Sequence, residues 1–451
     1  MSMAVDGLIS GLDTTSLINS LMTLEAGPQN QLKAKVTSTN TLMTALQGLN
    51  SQIASLATLA GKATATNALD LYSAKSSSTG VSVTAGATAT SGSIDIVVDK
   101  LAQGQASVSS AVTAWPTSSF SITNAASGVA TTISSGTTNL DDIVTAVNAS
   151  AAGVTAVKVA AGKDASNNPL YRLQFTSTST GASSAFSLSF DPSDPATDPA
   201  MTQVKGAQDA EVRLWANTGA AQKITSSTNT FSDLLPGVSV TASAVAADPV
   251  TVSVSRNDGA VGTIASDLVG ALNGVFALIS TKSAVVNSTD STGKAILSAG
   301  VFSSDSTVRD VKQQILNAAS QPIDGRSPSE IGISITKSGT MEFDSAKFAT
   351  AMAADPNYVK GVLATIAARV EAVAENASDK YDGMITSRIT GQESLVKSLG
   401  TQIDGWDIRM ASRRSTLERT YSAMEVQLSN MNAQSAWLTA QVDGLNASNG
   451  K

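Results

Sequence analysis

Toward its C-terminus the chain carries apolar residues at alternating steps of three and four. Val396, Leu399, Ile403, Trp406 and Met410 form one run; Leu417, Tyr421, Met424, Leu428 and Met431, then Leu438 and Val442, resume it. This a/d spacing predicts an amphipathic helix over 384–442 whose stripe another helix must cover. At 1.5 Å per residue it would be about 90 Å long, too long for an ordinary compact domain. Between Met410 and Leu417 the steps come as four then three, with Arg414 at the extra position, a stutter that relaxes the supercoil locally. Gly391, Gly400 and Gly405 lie inside the stretch. Each costs about 1 kcal/mol relative to alanine, which predicts a bend or break near 400–405.

The N-terminal end carries a shorter version of the same pattern. Leu42, Leu46, Leu49, Ile53 and Leu56 repeat at 4-3-4-3, and no charged residue occurs from Val36 to Gly61. This second seam is the natural partner for 396–410. Its uncharged polar face has weak intrinsic helix propensity, so the segment needs that partner to be fully ordered. Ahead of it, Leu8, Ile9, Leu12, Leu17, Leu21 and Leu24 mark short apolar groups. Asp13 or Thr14 serves as N-cap for a helix that ends before Gly27-Pro28.

From about residue 76 the period changes to two. Val81/Val83, Ile94/Ile96/Val98, Val157/Val159, Leu173/Phe175, Phe186/Leu188/Phe190, Val212/Leu214, Val238/Val240 and Val250/Val252/Val254 alternate between Gly, Ser, Asn and Pro clusters. They predict strands across 76–256. One helix interrupts them at 139–150, where Leu140, Ile143, Val144 and Val147 share a face. Asp141 and Asp142 fall in its first turn, where they answer the helix dipole.

Helical spacing returns after Asp258, with Ile264, Leu268, Leu272, Val275 and Ile279, then Val308, Val311 and Ile315. A hairpin follows: Ile331/Ile333/Ile335, a turn at Ser338-Gly339, and Met341/Phe343. Asp344 caps a short helix through Phe348. Asp355-Pro356 opens another with the seam Val359, Leu363, Ile366, Val370 and Val373. The expected fold is therefore α+β and multidomain: a helical coiled-coil stalk built from both chain ends, with an inserted β-rich head.

Composition narrows the function. Only 14% of the 451 residues are charged, against about 25% in typical domains, and the net charge is −7. No basic stripe suits nucleic acid. There is no cysteine and no histidine, so disulfides, thiolate or imidazole metal ligands and the usual acid–base residue are missing. The lack of cysteine is compatible with the cytosol, and equally with export unfolded through a narrow channel. No run of about eighteen uninterrupted apolar residues occurs, so no membrane insertion is expected. The N-terminal stretch has Asp6 and Asp13 and no basic residue before Lys33, unlike a Sec signal.

Chemistry is sparse. No nucleophile elbow, P-loop or dinucleotide fingerprint is present, and Ser291-Thr292-Gly293-Lys294 lacks the rest of a phosphate loop. Asp191, Asp194 and Asp198 read as a Pro-punctuated turn or, with less support, a calcium loop. Arg409, Arg413, Arg414 and Arg419 form either a solvated face beside Asp404, Asp407 and Glu418 or a contact for an acidic partner or neighbouring subunit. Trp406 reads as core and Trp437 as an exposed contact. No enzyme, cofactor or metal site is expected.

Several stretches, in order, resemble one family. SGLDTTSLINSLMTLEAGPQNQL at 10–32, GSIDIVVDKLAQGQ at 92–105, NLDDIVTAVNASAAGVTA at 139–156, YRLQFTSTSTG at 171–181 and IGISITKSGTMEFDSAKFATAMAADPNYVKGVL at 331–363 are similar to the flagellar hook-associated protein 2 family, the filament cap. The resemblance implies an extracellular protein at the tip of the bacterial flagellum. It would be exported by the flagellar type III route, assemble into a homo-oligomeric ring, and promote folding and insertion of flagellin. Implied partners are further copies of itself, flagellin, the hook–filament junction protein, the export apparatus and an export chaperone on the C-terminal helix. A secreted adhesin or another type III-exported coiled-coil surface protein is the alternative. On this reading 1–40 is a leg segment, 41–75 a stalk helix and 76–256 the head, its outer subdomain about 106–205. Residues 257–412 complete the stalk, and 413–451 form the C-terminal leg. The stalk seam is Leu42, Leu46, Leu49, Ile53 and Leu56 with Val396, Leu399, Ile403, Trp406 and Met410. The filament-contacting residues are Leu17, Leu21, Leu24, Leu417, Tyr421, Met424, Leu428, Met431 and Leu438.

Overall fold

The computed structural model describes residues 11–190, 198–289 and 292–449. The chain divides into two compact units, a helical one from residues 1–64 and 262–451 and a β-rich one from 65–261.

The helical unit begins with α1 (Thr14–Glu25), capped by the Asp13 side chain, which accepts from the Ser16 amide. Next comes α2 (Gly27–Thr64), a continuous helix that runs through the 40/41 boundary drawn from sequence and ends at Thr64, short of residue 75. Pro28 sits in its first turn, where a missing amide proton costs nothing.

Among the described residues, fifteen strands and one α-helix make up the β-rich unit. They are β1 (Tyr72–Ser76), β2 (Val81–Ala85), β3 (Gly92–Lys100), β4 (Ala106–Ser109), β5 (Ser119–Asn124), β6 (Ala130–Ser134), α3 (Leu140–Ala149), β7 (Val154–Lys163), β8 (Pro169–Ser177), β9 (Phe186–Ser189), β10 (Met201–Lys205), β11 (Ala210–Leu214), β12 (Gln222–Ser226), β13 (Thr230–Leu235), β14 (Val238–Ala242) and β15 (Ala246–Arg256). Every alternating pair read from the sequence lies in or beside one of them. Of the strands not predicted, β5 alternates through Phe120 and Ile122 alone, and β1, β4, β6, β10, β12 and β13 carry no alternating pair of large apolar residues.

Two cores form within this unit. The sheet β1-β15-β3-β11-β12 and the sheet β13-β14-β2 enclose Ile96, Val98, Val212, Val240 and Val252. A second core draws on residues 112–201: Trp115, Phe120, Phe175, Ile143 and Val147 lie among α3 and the sheets β10-β4-β8-β7 and β6-β5-β9. Gln105 links two parts of the second core: its Nε2 donates to the Phe186 carbonyl at 2.8 Å, and the Phe186 amide donates to its Oε1 at 3.0 Å. On the other face of the five-stranded sheet Glu211 bridges two lysines, Lys223 at 2.6 Å and Lys100 at 3.2 Å. Lys223, and then Lys100, hold its carboxyl below the ordinary glutamate range against the opposing effect of burial.

The chain re-enters the helical unit through α4 (Asp258–Ser283), then β16 (Val286–Thr289), β17 (Ala295–Ser298) and α5 (Ser306–Ser320). A 3-10 turn at Pro328–Ile331 leads to β18 (Ile333–Ile335), β19 (Met341–Phe343), α6 (Ser345–Ala354), α7 (Pro356–Ser378) and α8 (Met384–Asn449). By length and composition α4 is apolar enough to cross a membrane. Its apolar side chains, among them Val261, Leu268, Leu272, Val275, Phe276 and Ile279, are instead buried in the protein. Ile331, read as part of the hairpin, belongs to the 3-10 turn, and Asp344 caps a helix that runs on to Ala354.

The expected partner of the α2 seam needs correction. Leu46, Leu49, Ile53 and Leu56 are fully buried and Leu42 half-buried, but α2 packs foremost against α7. Thr64 Oγ1 donates to Glu371 Oε2 at 2.9 Å, and Asn50 Nδ2 reaches the Ser378 carbonyl at 3.5 Å, so the two helices run antiparallel. Helix α8 takes over toward the start of α2, where Gln29 Nε2 donates to Asp407 Oδ1 at 2.5 Å. Equal rise along both helices then places 42–56 opposite the α7–α8 junction, and 396–410 opposite the first turns of α2.

Replacing Leu46 or Ile53 by Asp strands a charge in this seam. It should destabilise the helical unit by about 3 kcal/mol or more, seen as a lower melting temperature; unchanged melting would show that the seam is not buried. A second expectation concerns Glu211. Because its pKa is depressed in the fold, its stabilisation is present above the unfolded value of about 4.3 and lost as pH falls through the lower folded value. Urea melts should therefore find Glu211→Gln less stable than the parent at pH 7 and equal to it at low pH. A difference constant from pH 7 to pH 3 would contradict the assignment.

Candidate functional site

Many of the exposed large apolar side chains lie on α1 and α8 (Met384–Asn449), among them Leu17, Leu24, Val426, Met431, Trp437 and Leu438. An elbow sets where α8 begins. The Asp379 carboxylate accepts from the Tyr381 and Asp382 amides at 2.7 and 2.8 Å, and these bonds, that from Asp382 first, hold its carboxyl below the usual range. Thr386 Oγ1 donates to the Asp379 carbonyl at 2.6 Å. At Gly383 a Cβ would lie 2.5 Å from that oxygen, so a side chain does not fit. Arg388 Nε pairs at 3.1 Å with Asp305, whose side chain is almost fully buried as the N-cap of α5. These contacts tie the first turn of α8 to the rest of the unit.

From there α8 runs unbroken for 66 residues, about 100 Å. The break expected near 400–405 is absent. Gly391, Gly400 and Gly405 have open space where a Cβ would stand. A cost of about 1 kcal/mol each is too little to interrupt a helix supported along one face.

That support comes in three stages. Against the first turns of α2, Leu399 is buried while Val396, Ile403, Trp406 and Met410 are half-buried. Beyond them α1 lies along α8. Arg414 Nη2 donates to Asn19 Oδ1 at 2.7 Å, Arg413 approaches Glu25 at 3.7 Å, and Thr14, Thr15 and Ile18 share a cleft of about 500 Å³ with Arg419, Tyr421, Ser422 and Glu425. Leu417, Tyr421, Met424 and Leu428 are half-buried along this part. In the third stage every residue from Met431 to Leu445 is exposed, including Met431, Trp437, Leu438, Val442 and Leu445.

On α1 the buried face is Thr14, Ile18 and Met22; Leu17 and Leu24 point outward and Leu21 is half-buried. Size marks the leucines in the sequence, whereas Thr14, Ile18 and Met22 carry the i, i+4, i+8 spacing of the packed face. The stutter does not divide covered from bare helix either. Because α1 lies alongside as far as Glu425, cover ends near Ser429.

The arginines near the stutter find partners within the chain. Arg409 stacks over the Trp406 ring at 3.9 Å, and Arg414 pairs with Glu418 at 3.1 Å. Arg419 Nε donates to the Ser415 carbonyl at 3.3 Å. Among the described residues no three Asp or Glu side chains gather as a metal site. Asp191 and Asp194 lie outside the described residues, as do Leu8, Ile9 and Ser291. What the arrangement offers is adhesion by an apolar helical face.

Two family models match the chain: flagellar hook-associated protein 2 N-terminus over residues 10–105, and its C-terminus over 207–433. The chain is 26% identical to the flagellar hook-associated protein 2 of Escherichia coli O157:H7, covering 99% of this chain and 98% of that one. It is equally identical to the B-type flagellar hook-associated protein 2 of Pseudomonas aeruginosa PAO1, covering 97% and 90%. The crystal structure of the flagellar cap protein FliD D1-D2-D3 domains from Escherichia coli shares the fold, with a TM-score of 0.58 at 22% identity over 77% of this chain and 99% of that one. The chain belongs to the flagellar hook-associated protein 2 family.

Proposed function

We propose that this protein is a structural cap at the distal, extracellular end of the bacterial flagellar filament. It works as a ring of identical subunits that helps exported flagellin to fold and insert. The observation that carries this reading is the third stage of α8, where Met431, Trp437, Leu438, Val442 and Leu445 stand exposed on one continuous helix. A face of this size on a helix is a surface waiting for a partner. Its upstream continuation is covered by α2 and α1 of the same chain, so helices of flagellin or of the hook–filament junction protein are partners of fitting shape. An export chaperone would hold the same face before secretion.

The leg residues enter this mechanism in two groups. Leu17 and Leu24 on α1, with Met431 and Leu438 on α8, are exposed and free to bind the filament. Leu21, Leu417, Tyr421, Met424 and Leu428 are partly occupied by the α1–α8 contact and act by keeping the two ends together. The stalk seam, Leu46 to Leu56 with Leu399, gives the legs a fixed base. As flagellin enters, the legs exchange neighbours while the packed parts keep their shape.

Deleting 1–35 or 415–451 should abolish filament growth and release monomeric flagellin into the medium. The β-rich unit and the α2–α7 packing should still melt cooperatively. Filaments of normal length from both truncated strains would sink the proposal.

A further inference from the structure

Between α4 and α5 the chain makes an excursion whose base is tied shut. The Phe302 amide donates to the Lys282 carbonyl at 3.0 Å. Gly300 lies so close that a Cβ would stand 2.3 Å from the same oxygen. Beyond this base β16 and β17 pair antiparallel, with Val286 opposite Ser298 and Thr289 opposite Ala295. All eight strand residues are exposed. Val286, Ile296 and Leu297 are among them, with Leu297 74% accessible.

This arrangement is unusual on three counts. A two-stranded hairpin alone is marginally stable in water, yet its strands make no sheet beyond each other among the described residues. Edge strands are normally guarded by charge or proline, but neither strand contains either. Apolar side chains project where none of the described residues covers them.

We propose that the β16–β17 hairpin docks onto a neighbouring copy of this chain, joining subunits of the ring by strand addition and by contacts of Val286, Ile296 and Leu297. The inference rests on the ring reading above. Size selects the occupant. Four-residue strands offer on the order of 400 Å² per partner, about half of what a stable interface of standard size buries. Such a patch does not retain a freely diffusing partner. It holds one already kept alongside by other contacts, where effective concentration makes a weak contact count, and a ring neighbour is held in that way. The free edges of β16 and β17 are also different surfaces, as a head-to-tail ring requires of each subunit.

The chain contains no cysteine, so Leu297→Cys provides a unique attachment point for a photo-crosslinker on the purified full-length protein. Adducts should appear at multiples of 45.7 kDa. The double change Ile296→Asp and Leu297→Asp should raise the concentration needed for assembly at least tenfold in sedimentation velocity, with the melting temperature unchanged because both side chains are exposed. A double variant that assembles like the parent, or a crosslinker that captures no second copy from assembled protein, overturns the hairpin's role and leaves the ring standing. A parent chain that sediments as a monomer at every concentration removes the ring reading and this inference together.

Discussion

The burial of one face of α2 is the constraint on which the helical unit depends. Leu46, Leu49, Ile53 and Leu56 lie almost wholly out of water, each contributing roughly 1.5–3 kcal/mol relative to exposure. A helix with an uncharged polar face and modest propensity does not hold itself together in isolation. Cover comes from α7, whose Ile366, Val370, Ala374 and Ala377 are buried in turn, and then from α8. The alanines, on α7 and at Ala57, Ala60 and Ala63 of α2, keep the side chains between helices short. Length along α2 thus becomes a ruler: which helix covers it changes at the elbow around Asp379.

The low charge of the chain has a structural counterpart in its hydroxyls. Along α2, Thr37, Thr39, Thr41, Ser55 and Thr58 each donate to the carbonyl four residues earlier, and Thr416 and Thr420 do the same on α8. Side chains satisfied by their own helix ask little of solvent. A surface built this way lacks the like-charge repulsion that keeps most proteins apart, which suits the proposed packing of these helices against copies of themselves or against filament subunits. Its counterpart in the β-rich unit is the short ladder of Lys100, Glu211, Lys223, Asp99 and Arg213, where charges pair across strands.

Much of the fold was legible. Helix and strand periods differ enough that α2, α3, α5, α7, α8 and the strands β2, β3, β7, β8, β9, β11, β14 and β15 could be placed from local spacing, and caps such as Asp13, Asp344 and Asp355 marked helix starts. The hairpin β16–β17 was not legible, because none of its strand residues is buried and burial is what creates alternation. The three glycines do not break α8, because a per-residue propensity says nothing about the packing along the rest of the helix.

The sequence by itself determined that both ends are helical, that each carries a stripe needing cover, that the middle is β-rich, and which family the chain resembles. Local spacing decides such things because a stripe is written by residues within a few turns of one another. Only the tertiary structure decided which helix meets which stripe, since a leucine row is complementary to any other leucine row of similar pitch. Register came from single polar contacts, Gln29 to Asp407, Thr64 to Glu371 and Asn19 to Arg414, between residues hundreds of positions apart. The same contacts moved the end of covered helix from the stutter near residue 414 to about 429. The bare surface of α8 is therefore shorter than the pattern alone implied, and it begins where α1 stops covering it.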